Sequence, residues 1–143
     1  MTTQAIAGTT AGLCIASDLA LHFWNFGLPT FSSDIMLRKD GLQLTTTLTG
    51  ALTTAIVSGI TSDELEATID SMPKPYDRLM ARSAVATSFT SAKTLSQGLV
   101  LLIYSMLIAD GRAVAMDYAG RQLVPAMLLN SLFAFGVPYS MSD

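Results

Sequence analysis

The chain has 143 residues, of which 13% are charged and 50% apolar, with a formal net charge of −3. That length fits one domain with a real core. Such high hydrophobicity with so few ions excludes intrinsic disorder, and the acidic balance excludes a surface given over wholly to nucleic acid.

The first predicted element is a helix over "TTQAIAGTTAGLCIASDLALHFWNFG", ending at Gly27-Leu28-Pro29. Cys14, the only cysteine, allows no intrachain disulfide and no multi-thiolate metal site; its setting in "GLCIA" predicts a small buried side chain. His22 is the only histidine, flanked by Phe23, Trp24 and Phe26. No nucleophile stands at an informative spacing from it, so it reads as a packed aromatic neighbour rather than a general base. "GTTAG" at 8–12 is a GxxxG pattern, a signature of close helix contact in water or in lipid. "MTTQAIAGTT" lacks the basic n-region of a signal peptide, which predicts a cytoplasmic or particle-assembled protein.

Residues 28–41, with Pro29, Asp34 and Gly41, read as a connecting loop. A second helix follows over 42–60. Leu44, Leu48, Leu52, Ile56 and Ile60 recur at every fourth position and form a ridge suited to packing between helices. Threonines crowd the adjacent rows, and their hydroxyls can bond carbonyls one turn back, so such a helix can be surrounded on all sides. The ridge is the expected subunit interface.

Thr61-Ser62-Asp63-Glu64 fits a capping box, with a short helix running to Met72 before Pro73-Lys74-Pro75. Asp63, Glu66 and Asp70 share one face, which reads as a solvated acidic column near a helix start. Pro75 is placed to open a long helix from about 76 to 109, with Gly98 as a possible break and Gly111 as its left-handed cap. Lys74, Arg78 and Arg82 follow at four-residue steps, and Lys93 returns to roughly the same face. Like charges so spaced repel. Three partners would offset them: the preceding carboxylates, the same carboxylates on a neighbouring subunit, or a phosphate backbone. These four are the candidate contacts to nucleic acid or to another subunit.

A short helix "RAVAMDYAG" and a final apolar segment over 123–137 complete an all-α fold of five to six helices, with Pro125 starting or kinking the last. Charge-free runs cover 1–17, 41–62, 94–109 and 123–142. Hydroxyls and prolines dilute them, and no flank carries the Lys/Arg bias that orients membrane spans. Membrane insertion is therefore the second expectation, with 94–109 and 123–138 as its hairpin.

In overall character the chain is similar to the small all-helical coat proteins of rod-shaped and filamentous viruses: charge-poor, acidic, rich in Ala, Thr and Ser, without catalytic groups. The likeness is one of composition. It implies a structural, self-assembling, virion-type homo-oligomer. No enzymatic activity, cofactor, metal or small-molecule substrate is expected; a helical enzyme using Asp63, Glu66, Asp70 or His22 is the weakest of the three readings. The alternative to assembly is a small integral membrane subunit of a larger complex.

Overall fold

A computed structural model describes residues 2–28, 39–60 and 63–141. Among the described residues six α-helices follow one another: α1 (Thr3–Phe26), α2 (Lys39–Ser58), α3 (Asp63–Asp70), α4 (Pro75–Leu107), α5 (Gly111–Tyr118) and α6 (Val124–Met141). A π-helical turn, Ala119–Leu123, joins the last two into one continuous rod.

Local chemistry explains most of the boundaries. Thr2 caps α1 by accepting the Ala5 N–H on its hydroxyl at 3.1 Å. Gly27 closes the same helix with φ +70, a left-handed conformation that glycine adopts without steric penalty. Pro75 opens α4, where its missing N–H leaves no intrahelical bond unmade. The proposed capping residue Thr61, with Ser62, lies outside the described residues, as do 29–38 of the expected loop; α2 begins at Lys39, earlier than the loop reading placed it.

α4 follows the long-helix reading, and one boundary beyond it differs from expectation. α4 runs through Gly98 unbroken to Leu107, because neighbouring helices hold it on both sides. Asp110, not Gly111, takes the left-handed turn, at φ 55. Gly111 instead starts α5 against the preceding turn: a Cβ there would stand 2.7 Å from the Tyr104 carbonyl oxygen. Close approach, rather than backbone handedness, requires this glycine.

α1, α2, α4 and the α5–α6 rod form an up-down-up-down bundle. Thr47 of α2 meets His22 near the end of α1, and Val57 packs by Ala7 and Ala11 near its beginning, so the two helices are antiparallel. Contacts from Thr3 to Arg82 and from Asp18 to Lys93 set α1 and α4 parallel across the bundle. Asn25 reaching Arg121 and Ala7 near Ala134 set α1 and α6 antiparallel.

The core has three layers. One end is small and apolar, with Ala7, Ala11, Ala86, Phe89 and Ala134. The other holds Leu42, Leu101, Tyr104 and Tyr118. Between them lies a layer of polar groups.

On α2 the hydroxylated row faces inward and most of the aliphatic row faces outward. Thr46, Thr47, Gly50 and Thr54 form the buried face of α2, while Leu48, Leu52, Ile56 and Ile60 of the predicted ridge point away from the bundle; Leu44 is half-buried. The inward threonines need little help. Thr46 donates to the Leu42 carbonyl at 2.6 Å and Thr54 to Gly50 at 2.9 Å, each one turn back. Gly50 lets Gln97 of α4 lie directly on the backbone of α2.

Candidate functional site

Asp18 is the only charge in the first 33 residues, and Lys93 the only one between Arg82 and Asp110. Their helices bring them together in the middle layer. Lys93 Nζ donates to Asp18 Oδ2 at 2.5 Å, and both side chains are closed off from solvent. Removing either ion from water is expensive, so each requires the other.

Around the pair stands a set of neutral polar groups. Gln122, turned inward by the π-helical segment, donates Nε2 to the Asp18 backbone carbonyl at 2.9 Å. Its Oε1 accepts from Asn25 at 3.1 Å. Gln97 Nε2 donates to the Thr46 carbonyl at 3.2 Å. His22 Nδ1 lies 2.8 Å from the Thr47 hydroxyl, which shares a 2.7 Å bond with the Tyr118 hydroxyl. His22 also packs edge-on against Phe23 and Phe26, as its sequence neighbours suggested. Cys14, one turn before Asp18, is fully buried.

Not every member of this layer is satisfied. Asp18 Oδ1, Gln97 Oε1, both amide atoms of Asn130, Gln43 Nε2 and Ser83 Oγ are buried without a hydrogen bond. Asn130 of α6 stands beside the Asp18 carboxylate, near enough to act on its charge though outside hydrogen-bond geometry. It is also part of a groove of about 330 Å³ between α4 and α6, where Thr87, Thr90, Ser91, Thr94 and Ser131 stand beside Leu95 and Met127.

The predicted basic stripe does not survive as one surface. Lys93 is at the centre of the bundle, paired with a carboxylate the sequence reading did not select. Arg82 is buried at the bundle end, donating to Asp70 Oδ1 at 2.9 Å and from Nε to Thr3 Oγ1 at 3.3 Å. A phosphate backbone cannot reach either cation in this conformation. Arg78 donates to the Met72 carbonyl, and only Lys74, the residue before Pro75, is openly exposed. The physical reason is geometric: four-residue steps align side chains along a helix without saying which way that row faces.

Of the acidic column, Asp70 alone has a partner inside the bundle, and Thr3 Oγ1 also donates to it at 2.7 Å. Burial tends to raise this carboxyl, but the hydrogen bonds from Arg82 and Thr3 and the Arg82 charge outweigh it and hold it below its ordinary value. Among the described residues no three His, Cys, Asp or Glu side chains gather into a metal cluster. At the opposite end, Asn25 donates to the Arg121 carbonyl at 2.6 Å. That oxygen lies four residues before Pro125, which has no N–H to offer it. The Arg121 guanidinium rests 4.9 Å above the Phe26 ring.

An acid alone on its helix and a lysine alone between Arg82 and Asp110 were the available signal for this site. Compared with known proteins, the chain matches no family model, no curated protein and no solved structure.

Proposed function

We propose that the chain is an integral membrane subunit, a helical bundle that faces lipid with its apolar exterior and keeps its polar groups within. One observation carries this reading. Among the described residues, every charged side chain that reaches the surface belongs to segments 39–40, 63–78 or 110–121, near the ends of the long helices. The shafts over 3–26, 41–58, 79–109 and 122–141 contain only Asp18, Arg82 and Lys93 as charges, and all three are buried.

Lipid is a solvent in which exposed leucine is neutral and exposed charge is costly. Exposed Leu52 (62%), Leu102 (60%) and Leu132 (67%), on three different helices, are unfavourable in water and ordinary in hydrocarbon. Trp24, Tyr76 and Tyr139 are strongly exposed and sit near helix ends, the place of interfacial aromatic belts.

Two helices, Thr3–Phe26 and Gly111–Met141, are long and apolar enough to cross a membrane. α2 and α4 have 20 and 33 residues, about 30 and 50 Å at 1.5 Å per residue. Threonine, serine and the charged residues Lys39, Asp40, Asp77, Arg78, Arg82 and Lys93 dilute their hydropathy, and many of the hydroxyls face the bundle or bond their own backbone.

The alternative reading, a self-assembling coat-type subunit, draws on the same outward ridge at Leu48, Leu52, Ile56 and Ile60. Neighbouring copies could cover that ridge, but such an assembly gives no reason for an ion pair at the core beneath an apolar exterior. Fractionation separates the two readings. A membrane subunit stays with the bilayer through alkaline carbonate and high salt, and leaves it only in detergent. Recovery as a detergent-free particle would favour the coat reading, and a detergent-free monomer would sink both.

A further inference from the structure

We propose that Asp18 is an exchangeable cation site, in which a proton or a small monovalent cation entering past Asn130 competes with Lys93 for the carboxylate. The inference rests on the membrane reading above and assigns work to the bundle's interior.

A purely structural buried ion pair needs its remaining lone pairs and protons satisfied. This one is not. Asp18 Oδ1 accepts nothing, although Oδ2 is fully engaged by Lys93. The neighbouring Asn130, 2% exposed, leaves its carbonyl oxygen and its amide nitrogen both unused. Two buried acceptor oxygens beside an anion are a poor arrangement for stability and a serviceable one for a cation.

Access is built into the same residues. The groove at Asn130 continues along α4 and α6 through adjoining recesses that share Thr87, Ser91 and Ser131 with it. These recesses pass Ser83, another buried hydroxyl without a bond, and extend to Tyr139 near the bundle end. The recess thus runs from one end of the shafts to mid-depth, apolar over its outer stretch at Leu79, Met80, Leu132 and Phe135, and bordered by Thr87, Ser91 and Ser131 near Asn130. At its inner end the hydroxyls offer oxygen atoms to a cation, whereas an anion would arrive at a carboxylate.

Either exchange adds one positive charge to the site. With Lys93 as the partner, the site holds one carboxylate and one ammonium. Protonation of Asp18 places the incoming proton on the carboxylate oxygen and frees the ammonium to turn away. A sodium or potassium ion would instead lie between Asp18 Oδ1 and Asn130 Oδ1, with Lys93 displaced but still charged. The ionisable groups facing Asp18 are Cys14 and His22 on its own helix, Lys93 on α4 and Tyr118 at the end of α5; α6 presents the neutral Asn130. Lys93 is the one fixed cation among them.

The test uses the full chain in detergent and in liposomes. Thermal melts in NaCl, KCl and choline chloride at equal ionic strength probe the metal-ion arm. Infrared difference spectra on acidification, which report a protonated carboxyl, probe the proton arm. The expected result is either a melting temperature several degrees higher in Na⁺ or K⁺ than in choline, or a carboxyl band that appears on acidification. Asn130→Leu should lose the ion-dependent increment or displace the band while the protein stays folded, and Asp18→Asn should abolish either signal. Absence of both responses in the well-folded wild type overturns the proposal, as does a response that both variants retain. If the protein does not enter liposomes at all, the membrane reading itself has failed, a result that flotation records separately.

Discussion

Lys93 and Asp18 lie 75 residues apart in the chain, yet their charged atoms meet at 2.5 Å in the middle of the bundle. Asp18 is the sole charge on α1, and Lys93 stands eleven residues from Arg82, the nearest charge on α4. The pair pins the parallel register of α1 and α4, since sliding either helix by one turn would strand two ions in an apolar setting.

Breaking this pair one side at a time should therefore be more damaging than removing it whole. Lys93→Met leaves Asp18 buried and unpaired and is expected to cost about 3–5 kcal/mol. The double substitution Asp18→Leu with Lys93→Met should recover most of that stability, because no ion remains to be desolvated. Detergent-solubilised thermal melts of the three proteins check this; a double variant no better than the single one would refute it.

The outward ridge of α2 gives a direct reading of its surroundings. Leu52→Arg puts a charge in the middle of an exposed apolar row, where membrane insertion is disfavoured by about 2.5–3.5 kcal/mol. The integrated fraction in a microsomal or liposome insertion assay should fall steeply, while Leu52→Phe should leave it unchanged. Equal insertion of the two proteins would count against lipid on this face.

Gly50 makes room for Gln97. A methyl group at Gly50 would stand 2.6 Å from Gln97 Cδ, so the amide must move and lose its bond to the Thr46 carbonyl. Gly50→Ala is expected to destabilise the bundle by about 1–3 kcal/mol. Adding Gln97→Ala should restore part of the loss by vacating that space, as chemical denaturation of the single and double variants would record.

The bundle end near Thr3 should be acid-sensitive. Arg82 and Thr3 hold the Asp70 carboxyl below its ordinary value of 3.8, so it binds protons more weakly when folded. Its stabilisation is complete above that ordinary value and is lost as pH falls through the lowered folded value. The solvent-facing side of the pair limits the effect to about 1 kcal/mol. Between pH 5 and pH 3, the wild-type melting temperature should drop more than that of Asp70→Asn; parallel curves would show the contact to be energetically silent.

Asn25 and Pro125 are linked through one carbonyl. Asn25→Ala removes the donor to the Arg121 oxygen that Pro125 cannot satisfy, together with the bond to Gln122 Oε1. A loss of about 1–2 kcal/mol is expected for these hydrogen bonds. If Pro125→Ala supplies the missing backbone donor, the combined variant should lose less than Asn25→Ala alone.

The sequence by itself determined the helices. Four-residue periodicity, the glycine after Phe26 and the proline before Tyr76 are local features, and local backbone chemistry acts on them wherever the chain lies. It also determined that Cys14 and His22 would be packed, since their neighbours are apolar or aromatic. Only the tertiary structure decided which side of each helix faces inward. Periodicity reports that one row of α2 is aliphatic and another hydroxylated, but it is symmetric between a core of leucine in water and a core of threonine in lipid. The same ambiguity hid the site: Lys74, Arg78, Arg82 and Lys93 look like one row, whereas Asp18, far away in the chain, is the residue that meets Lys93. Pairing across helices depends on register and rotation, which are set by the packing of all the shafts together and not by any one segment.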